Sequence, residues 1–329
     1  MNPKLLVILS IFALTACDTP ERKVERGEVV NVYSDFLRAD DEVLFDAFEQ
    51  QTGLRVNLII AKAEHIWNRL EDAPDSTTAD LFMLKGISQL QKATRDGLLD
   101  SIPNVNLLRM IPEHLRDDQN LWTTMAYNVY GITYRTDSVD SIQLRSYADL
   151  SAGQWQEKLA LEGNVMHYQS LVAAMLADQG REATENWLRG LEQNVQAAGS
   201  RQLDSSLWLK LTDTKAYFLE AGEKKADVPQ AFLFPATEAY LQIMGVGIYK
   251  EAPHPERARR LLAYLLSREV MRQTAEQWQA YPASSEVAIP AALQQLSSFQ
   301  PDTTAQSIIG RYAEEAADLL RRLPQAATP

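Results

Sequence analysis

The chain has 329 residues, with 32 Lys and Arg against 44 Asp and Glu, a formal net charge of −12 at pH 7, and one cysteine. An acidic balance of this size disfavours nucleic acid and an anionic membrane surface as partners. A single cysteine excludes a disulfide framework and a zinc–thiolate centre.

An apolar run from Leu5 to Ala16 follows one early cation, Lys4. It falls well short of the roughly 20 residues that a membrane-spanning helix needs, so residues 1–16 read as a signal peptide. Leu14-Thr15-Ala16-Cys17 resembles the bacterial lipoprotein box, which implies cleavage before Cys17 and acylation of its thiol. More than one acyl chain, at about 0.8 kcal/mol per buried methylene, then holds the mature protein on a membrane. Asp18 is similar to a retention signal for the periplasmic face of the inner membrane, and residues 17–28 are too charged to fold and read as a tether.

From Val29 onward the apolar period alternates between two and three-to-four, which predicts α/β layering. Val29 to Ser34 reads as a strand, Asp41 to Gln51 as a helix stopped by Gly53, and Leu54 to Ile60 as an alternating strand. A helix around Glu64 to Leu70, a strand from Ala79 to Leu84 and a helix ending at Gly97 complete parallel crossovers. Tyr127 to Tyr134 is apolar on both sides and reads as a strand leaving this unit. Tyr168 to Asp178 and Glu182 to Leu191 read as helices separated by Gly180, and Ala231 to Pro235 as a short buried strand. Tyr240 to Tyr249 reads as a long returning strand. Pro255 opens a helix to Ser267, with Pro at the first turn where its missing N–H costs nothing, and a last helix spans Ser307 to Arg322.

Several stretches together carry a resemblance. Val32-Tyr33-Ser34 with Phe45 to Val56, Ala79-Asp80-Leu81 with Gly97-Leu98-Leu99, Tyr147 to Leu150, Tyr168 to Ala173, Gly245-Val246-Gly247 and Phe299 to Thr303 fall in the order found in periplasmic ferric-iron-binding proteins. The resemblance covers nearly all of the mature chain. It implies a type II periplasmic-binding-protein fold with two α/β lobes joined by two crossing strands. Lobe 1 would be 29–127 plus about 241–285, and lobe 2 about 128–240 plus 286–329. It also implies a monomeric solute-binding subunit of an ABC importer, working with permease and ATPase subunits and closing on its ligand. No cofactor is expected, and a ferric ion would be cargo.

Ligands of α/β sheets sit at the carboxyl ends of strands beside helix N-termini, so Ser34 and Asp35 after the first strand are cleft candidates. Lys85 and Gly86 follow the third strand. Tyr127, Asn128 and Tyr130 lie where the family holds a synergistic anion with a basic residue, a charge missing here. His167, Tyr168, Gln169 and Ser170 open a helix.

The family holds ferric ion with two adjacent tyrosines just after a strand of the second lobe, and this chain has no Tyr-Tyr pair. One register sets Tyr217 and Phe218 on that pair and makes Asp35, Tyr168 and Tyr217 the metal ligands. The other places Tyr217 on a helix and the ligand loop at Phe232 to Thr237, resembling relatives that bind thiamine, polyamines or phosphonates. The cargo is therefore ferric ion or a small organic solute, and a sensor lipoprotein without iron is a further alternative. No His-Glu-x-x-His, Gly-x-Ser-x-Gly or phosphate-cradling glycine loop is present, so no enzyme is expected.

Overall fold

The computed structural model describes residues 29–72, 78–161, 164–196, 203, 206–223 and 228–323. The signal peptide, Cys17 and the tether lie outside these.

The first α/β unit runs β1 (Val29–Ser34), α1 (Val43–Thr52), β2 (Arg55–Ile60), α2 (Ala63–Asp72), β3 (Leu81–Lys85), α3 (Ile87–Arg95), β4 (Leu99–Asp100) and α4 (Val105–Leu108). β5 (Trp122–Arg135) leads out of it into β6 (Leu159–Leu161), α5 (Gln169–Asn194), β7 (Leu209–Asp213), α6 (Thr214–Glu223), β8 (Gln230–Leu233) and β9 (Glu238–Ala239). β10 (Leu241–Tyr249) returns to α7 (Pro255–Leu265), α8 (Arg268–Trp278) and β11 (Tyr281–Pro282). The chain closes through α9 (Ala291–Gln294), β12 (Gln300–Pro301), α10 (Gln306–Gly310) and α11 (Ala313–Arg321).

β1 pairs in parallel with both β2 and β3, as strand–helix–strand crossovers require. Alternate side chains of these strands enter different cores. Val30, Val32, Leu81 and Met83 meet Leu44 and Phe48 of α1 and Leu261 and Leu262 of α7. Tyr33, Phe82 and Leu84 meet Ile66 and Trp67 of α2 and Leu90 of α3. The sheet is covered on both faces, which explains why its strands read as apolar runs. Burying one such aromatic contributes about 1.5–3 kcal/mol. β2 is the edge strand, so its alternating residues are only half-buried and Ile60 is exposed.

β5 joins two ladders. Its first part pairs with β10, from Trp122 opposite Gly247 to Val129 opposite Leu241. From Tyr130 it pairs instead with β7, and from Ile132 with β8 as well. Hydrogen bonding is thus continuous through β5 while the sheet passes from one lobe into the next.

Gly53 and Gly180 take φ of 72° and 79°, a left-handed conformation that suits glycine and that ends α1 and breaks α5. Asp80, fully buried, precedes β3 rather than joining it. It accepts from the amides of Asn31 and His254, each at 2.8 Å, and so ties β1 to the start of α7. The expected last helix is two, α10 and α11. They meet beside Gly310, where a Cβ would lie 2.8 Å from Oε1 of Gln91 on α3. Periodicity overlooked α8, whose N-cap Ser267 accepts from Val270 N at 3.4 Å, and β7.

Candidate functional site

The carboxyl ends of β3 and β7, one from each lobe, arrive at neighbouring stretches of the crossing strands. Lys85 at the end of β3 is opposite Met244 of β10, and the amide of Gly86 donates to Ile243 O at 2.7 Å. One pair further along, Gln242 is opposite Asn128. Asp213 at the end of β7 is opposite Tyr130. The lobes touch here: a Cβ on Gly86 would lie 3.2 Å from Oγ of Ser170, near the start of α5.

Two acids face this junction. Asp35, the first residue after β1, accepts from the amide of Lys85 at 2.8 Å. Burial raises its carboxyl to about 7, against the opposing pull of that amide and of the Lys85 charge. Asp213 is 1% exposed, accepts from Ala216 N at 2.9 Å and lies 3.1 Å from Nε2 of His167. Burial would push this carboxyl up, but His167, Lys85 and the Ala216 amide outweigh it and hold it well below the carboxylate range. The His167 nitrogen is close enough for an ion pair yet out of line for a hydrogen bond, and it has no hydrogen-bond partner among the described residues.

Cations come from both lobes as well. Burial pushes the Lys215 ammonium down, and Lys85 and Arg38 repel it further while Asp41 and Asp213 draw it back. Lys85 of the first lobe thus acts electrostatically on Asp35, Asp213 and Lys215. The crossing strands here carry buried polar side chains, Asn128 and Gln242. Oδ1 of Asn128 accepts from Thr214 Oγ1 at 3.3 Å, and Gln242 Nε2 donates to His167 O at 3.3 Å. Nδ2 of Asn128 and Oε1 of Gln242 have no partner among the described residues.

The expected residues divide. Asp35 and Ser170 are at the junction, as are Lys85, Gly86, Asn128 and His167. Ser34 is at its edge, but its Oγ accepts from Phe36 N and Leu37 N at 3.3 and 3.1 Å and closes the turn. Tyr130 donates to His167 O at 2.8 Å and Tyr168 to Leu211 O at 2.6 Å, so both buried hydroxyls are spent on main chain. Tyr127 stacks on Tyr281 with ring centroids 5.6 Å apart, and burial pushes its hydroxyl up to about 12. Tyr217 lies on α6, as the second register has it, with its ring 4.9 Å from Phe232 and 5.3 Å from Phe218. Thr237 is exposed beyond β8.

The positions that directly follow the second-lobe strand are Thr214, Lys215 and Ala216, with no phenolate among them. Sequence reasoning missed Asp213, Lys215 and Gln242. The first two stood inside the motif searched for tyrosines, and a strand ending at Asp213 is the signal that would have found them. Among the described residues no three His, Cys, Asp or Glu side chains gather as a metal cluster.

Comparison with known proteins places this geometry. Residues 76–304 match the family of bacterial extracellular solute-binding proteins. The chain is 26% identical to iron uptake protein A1 of Synechocystis sp. over 320 residues, covering 92% of this chain and 88% of that one. A Trichodesmium IdiA (FutA) structure in complex with iron and citrate ligands superposes with a TM-score of 0.80 at 27% identity, over 90% of this chain and 99% of that chain. The ferric binding protein from Campylobacter jejuni, at 21% identity, covers the same shares with a TM-score of 0.82 and shows the fold alone. The fold is the type II periplasmic-binding-protein fold, and the chain belongs to the bacterial extracellular solute-binding protein family.

Proposed function

With membership of that family as the premise, we propose that the chain is the ligand-capturing subunit of an ABC importer of the ferric-iron type. It takes its cargo between lobe 1, 29–127 plus about 241–285, and lobe 2, about 128–240 plus 286–329. It then delivers the cargo to permease and ATPase subunits. It acts as a monomer, binds and releases without catalysis, and stays on the periplasmic face of the inner membrane through a lipid on Cys17.

The observation that carries this reading is that Asp35 and buried Asp213, each at or just beyond the carboxyl end of a strand, come from opposite lobes and both feel the charge of Lys85. A ferric ion is a hard cation that prefers oxygen donors, and the likeness to an iron uptake protein supports it as cargo. We assign its contacts to Asp35 and Asp213, with His167 beside them. Tyr168 would contribute only by giving up Leu211 O, and Tyr217 only by leaving its aromatic neighbours. Ligand held by both lobes favours their closed arrangement, so binding and closure are one event.

Equilibrium dialysis against ferric ion followed by metal analysis tests the reading. One retained ion per chain, lost in Asp213→Ala, supports it. Protein that emerges free of iron refutes it.

A further inference from the structure

We propose that a second binding site, outside the cleft and independent of its cargo, lies in the groove between α3 and the corner of α10 and α11. It takes a small organic molecule bearing two or more anionic oxygen groups. The groove encloses about 390 Å³ and shares no lining residue with the junction of Asp35, Asn128 and Asp213.

Helical spacing builds both walls. Ser88, Gln91, Lys92 and Arg95 stand at i, i+3, i+4 and i+7, so they share one face of α3 and run for about 10 Å along it. Opposite them Ala313, Glu314, Ala317 and Arg321 share a face of α11, and Arg311 holds the corner before it. Gly310 brings α10 so near α3 that a Cβ there would lie 2.8 Å from Oε1 of Gln91, which closes the floor. Above it the short side chains of Ala313 and Ala317 leave the space open. α3 belongs to the first α/β unit and α11 to the end of the chain, so a ligand between them touches both proposed lobes.

Lys92, Arg95, Arg311 and Arg321 line the groove against a single acid, Glu314. In a chain of net charge −12 this is a local focus of positive charge. Lys92 donates to Asp96 at 2.6 Å, Arg95 to Asp96 at 3.3 Å and to Glu314 across the groove, and Arg321 to Asp318. All three acids are exposed, and exposed pairs contribute only about 0–1 kcal/mol, so a bound anion takes over their cations at little cost.

The second observation concerns donors that hold nothing. Among the described residues the Arg311 guanidinium, the Gln91 amide and the Ser88 hydroxyl make no ion pair or hydrogen bond. They come from both walls. A guanidinium presents a planar fork of donors that matches a carboxylate or a phosphate, and the amide and hydroxyl supply further donors to its oxygens. Arg311 and Arg321 stand at the two ends of α11, so anionic groups spaced along one molecule meet them better than one compact anion does.

The test is titration calorimetry of the full chain, freed of metal on a chelating resin, with pyrophosphate, tricarballylate and putrescine. Salt at about 0.15 M screens unspecific attraction beyond roughly 8 Å. The expected result is saturable one-to-one binding of at least one polyanion and none of putrescine. Binding of pyrophosphate alone identifies a phosphate-bearing ligand, and of tricarballylate alone a polycarboxylate. Arg311, Glu314 and Lys250 are exposed, so substitutions there leave the fold intact. Arg311→Ala weakens binding by at least about tenfold, and Arg311→Lys keeps part of it. Glu314→Gln strengthens it, because the one competing carboxylate is gone, and Lys250→Met leaves it unchanged. Iron retention by the cleft is read separately, so either result leaves the other standing. No saturable binding of either polyanion, binding of putrescine, an equal loss in Lys250→Met, or a loss in Lys215→Met with Arg311→Ala unaffected overturns the proposal.

Discussion

The amide of Lys85 donates to Oδ1 of Asp35 at 2.8 Å, which ties the end of the third strand to the first residue after the first strand. The bond holds a carboxyl in a place so dry that burial raises it to about 7, and this has a consequence for stability. Between the ordinary value of 3.8 and about 7 the folded protein keeps a proton that the unfolded chain has released. Stability contributed by this group is therefore full at low pH and is lost as pH rises through that window, by on the order of a few kcal/mol. Denaturant unfolding of metal-free protein at steps from pH 4.5 to 7.5 should show the decline. Asp35→Asn should flatten it.

Asp213 behaves in the opposite sense. Its folded carboxyl is held below the ordinary range, so its stabilisation is present above about pH 4 and is lost as pH falls below that value. Asp213→Asn should flatten the acid limb of the same unfolding series. At neutral pH it should also lower stability, because the carboxylate beside His167 Nε2, 3.1 Å away, is lost. An unchanged acid limb would show that the carboxylate is not paired.

Gly86 has φ of 85° and faces Ser170 across the lobes, so Gly86→Ala carries two separable penalties. One is backbone strain of about 1 kcal/mol or more, and the other is a close contact with the Ser170 hydroxyl, which must yield by a small shift. Denaturant unfolding should show the variant destabilised by at least the strain. Adding Ser170→Gly should relieve the contact and leave the strain.

Cys17→Ser removes the acylation site, so the protein should move to the soluble fraction or keep its leader. Unchanged membrane fractionation with normal processing would count against the lipid anchor.

Much of the fold was legible because burial leaves a period in the sequence. β1, α1 with its Gly53 stop, the break at Gly180 and the start of α7 at Pro255 all follow from local spacing and special residues. β7 was obscured because its buried Lys210, paired with Glu220, makes a core strand look polar. The site was legible only in halves. Asp35, Lys85 and Asn128 stand at predicted strand ends or on a crossing strand. Nothing local says that Lys85 acts electrostatically on Asp213 and Lys215, because that depends on the register of β5 against β7 and of β10 against β3. Tyrosine chemistry points to Tyr217 and Tyr168, but the Tyr217 ring packs on Phe232 and the Tyr168 hydroxyl donates to Leu211 O.

The central claim is that cargo is held between Asp35 of one lobe and Asp213 of the other. Crystals grown with ferric ion and measured at the iron absorption edge test it most directly. An anomalous peak within coordination distance of both carboxylates is the predicted result. A peak on Tyr217 away from Asp213, or no peak in a fully loaded crystal, would contradict it.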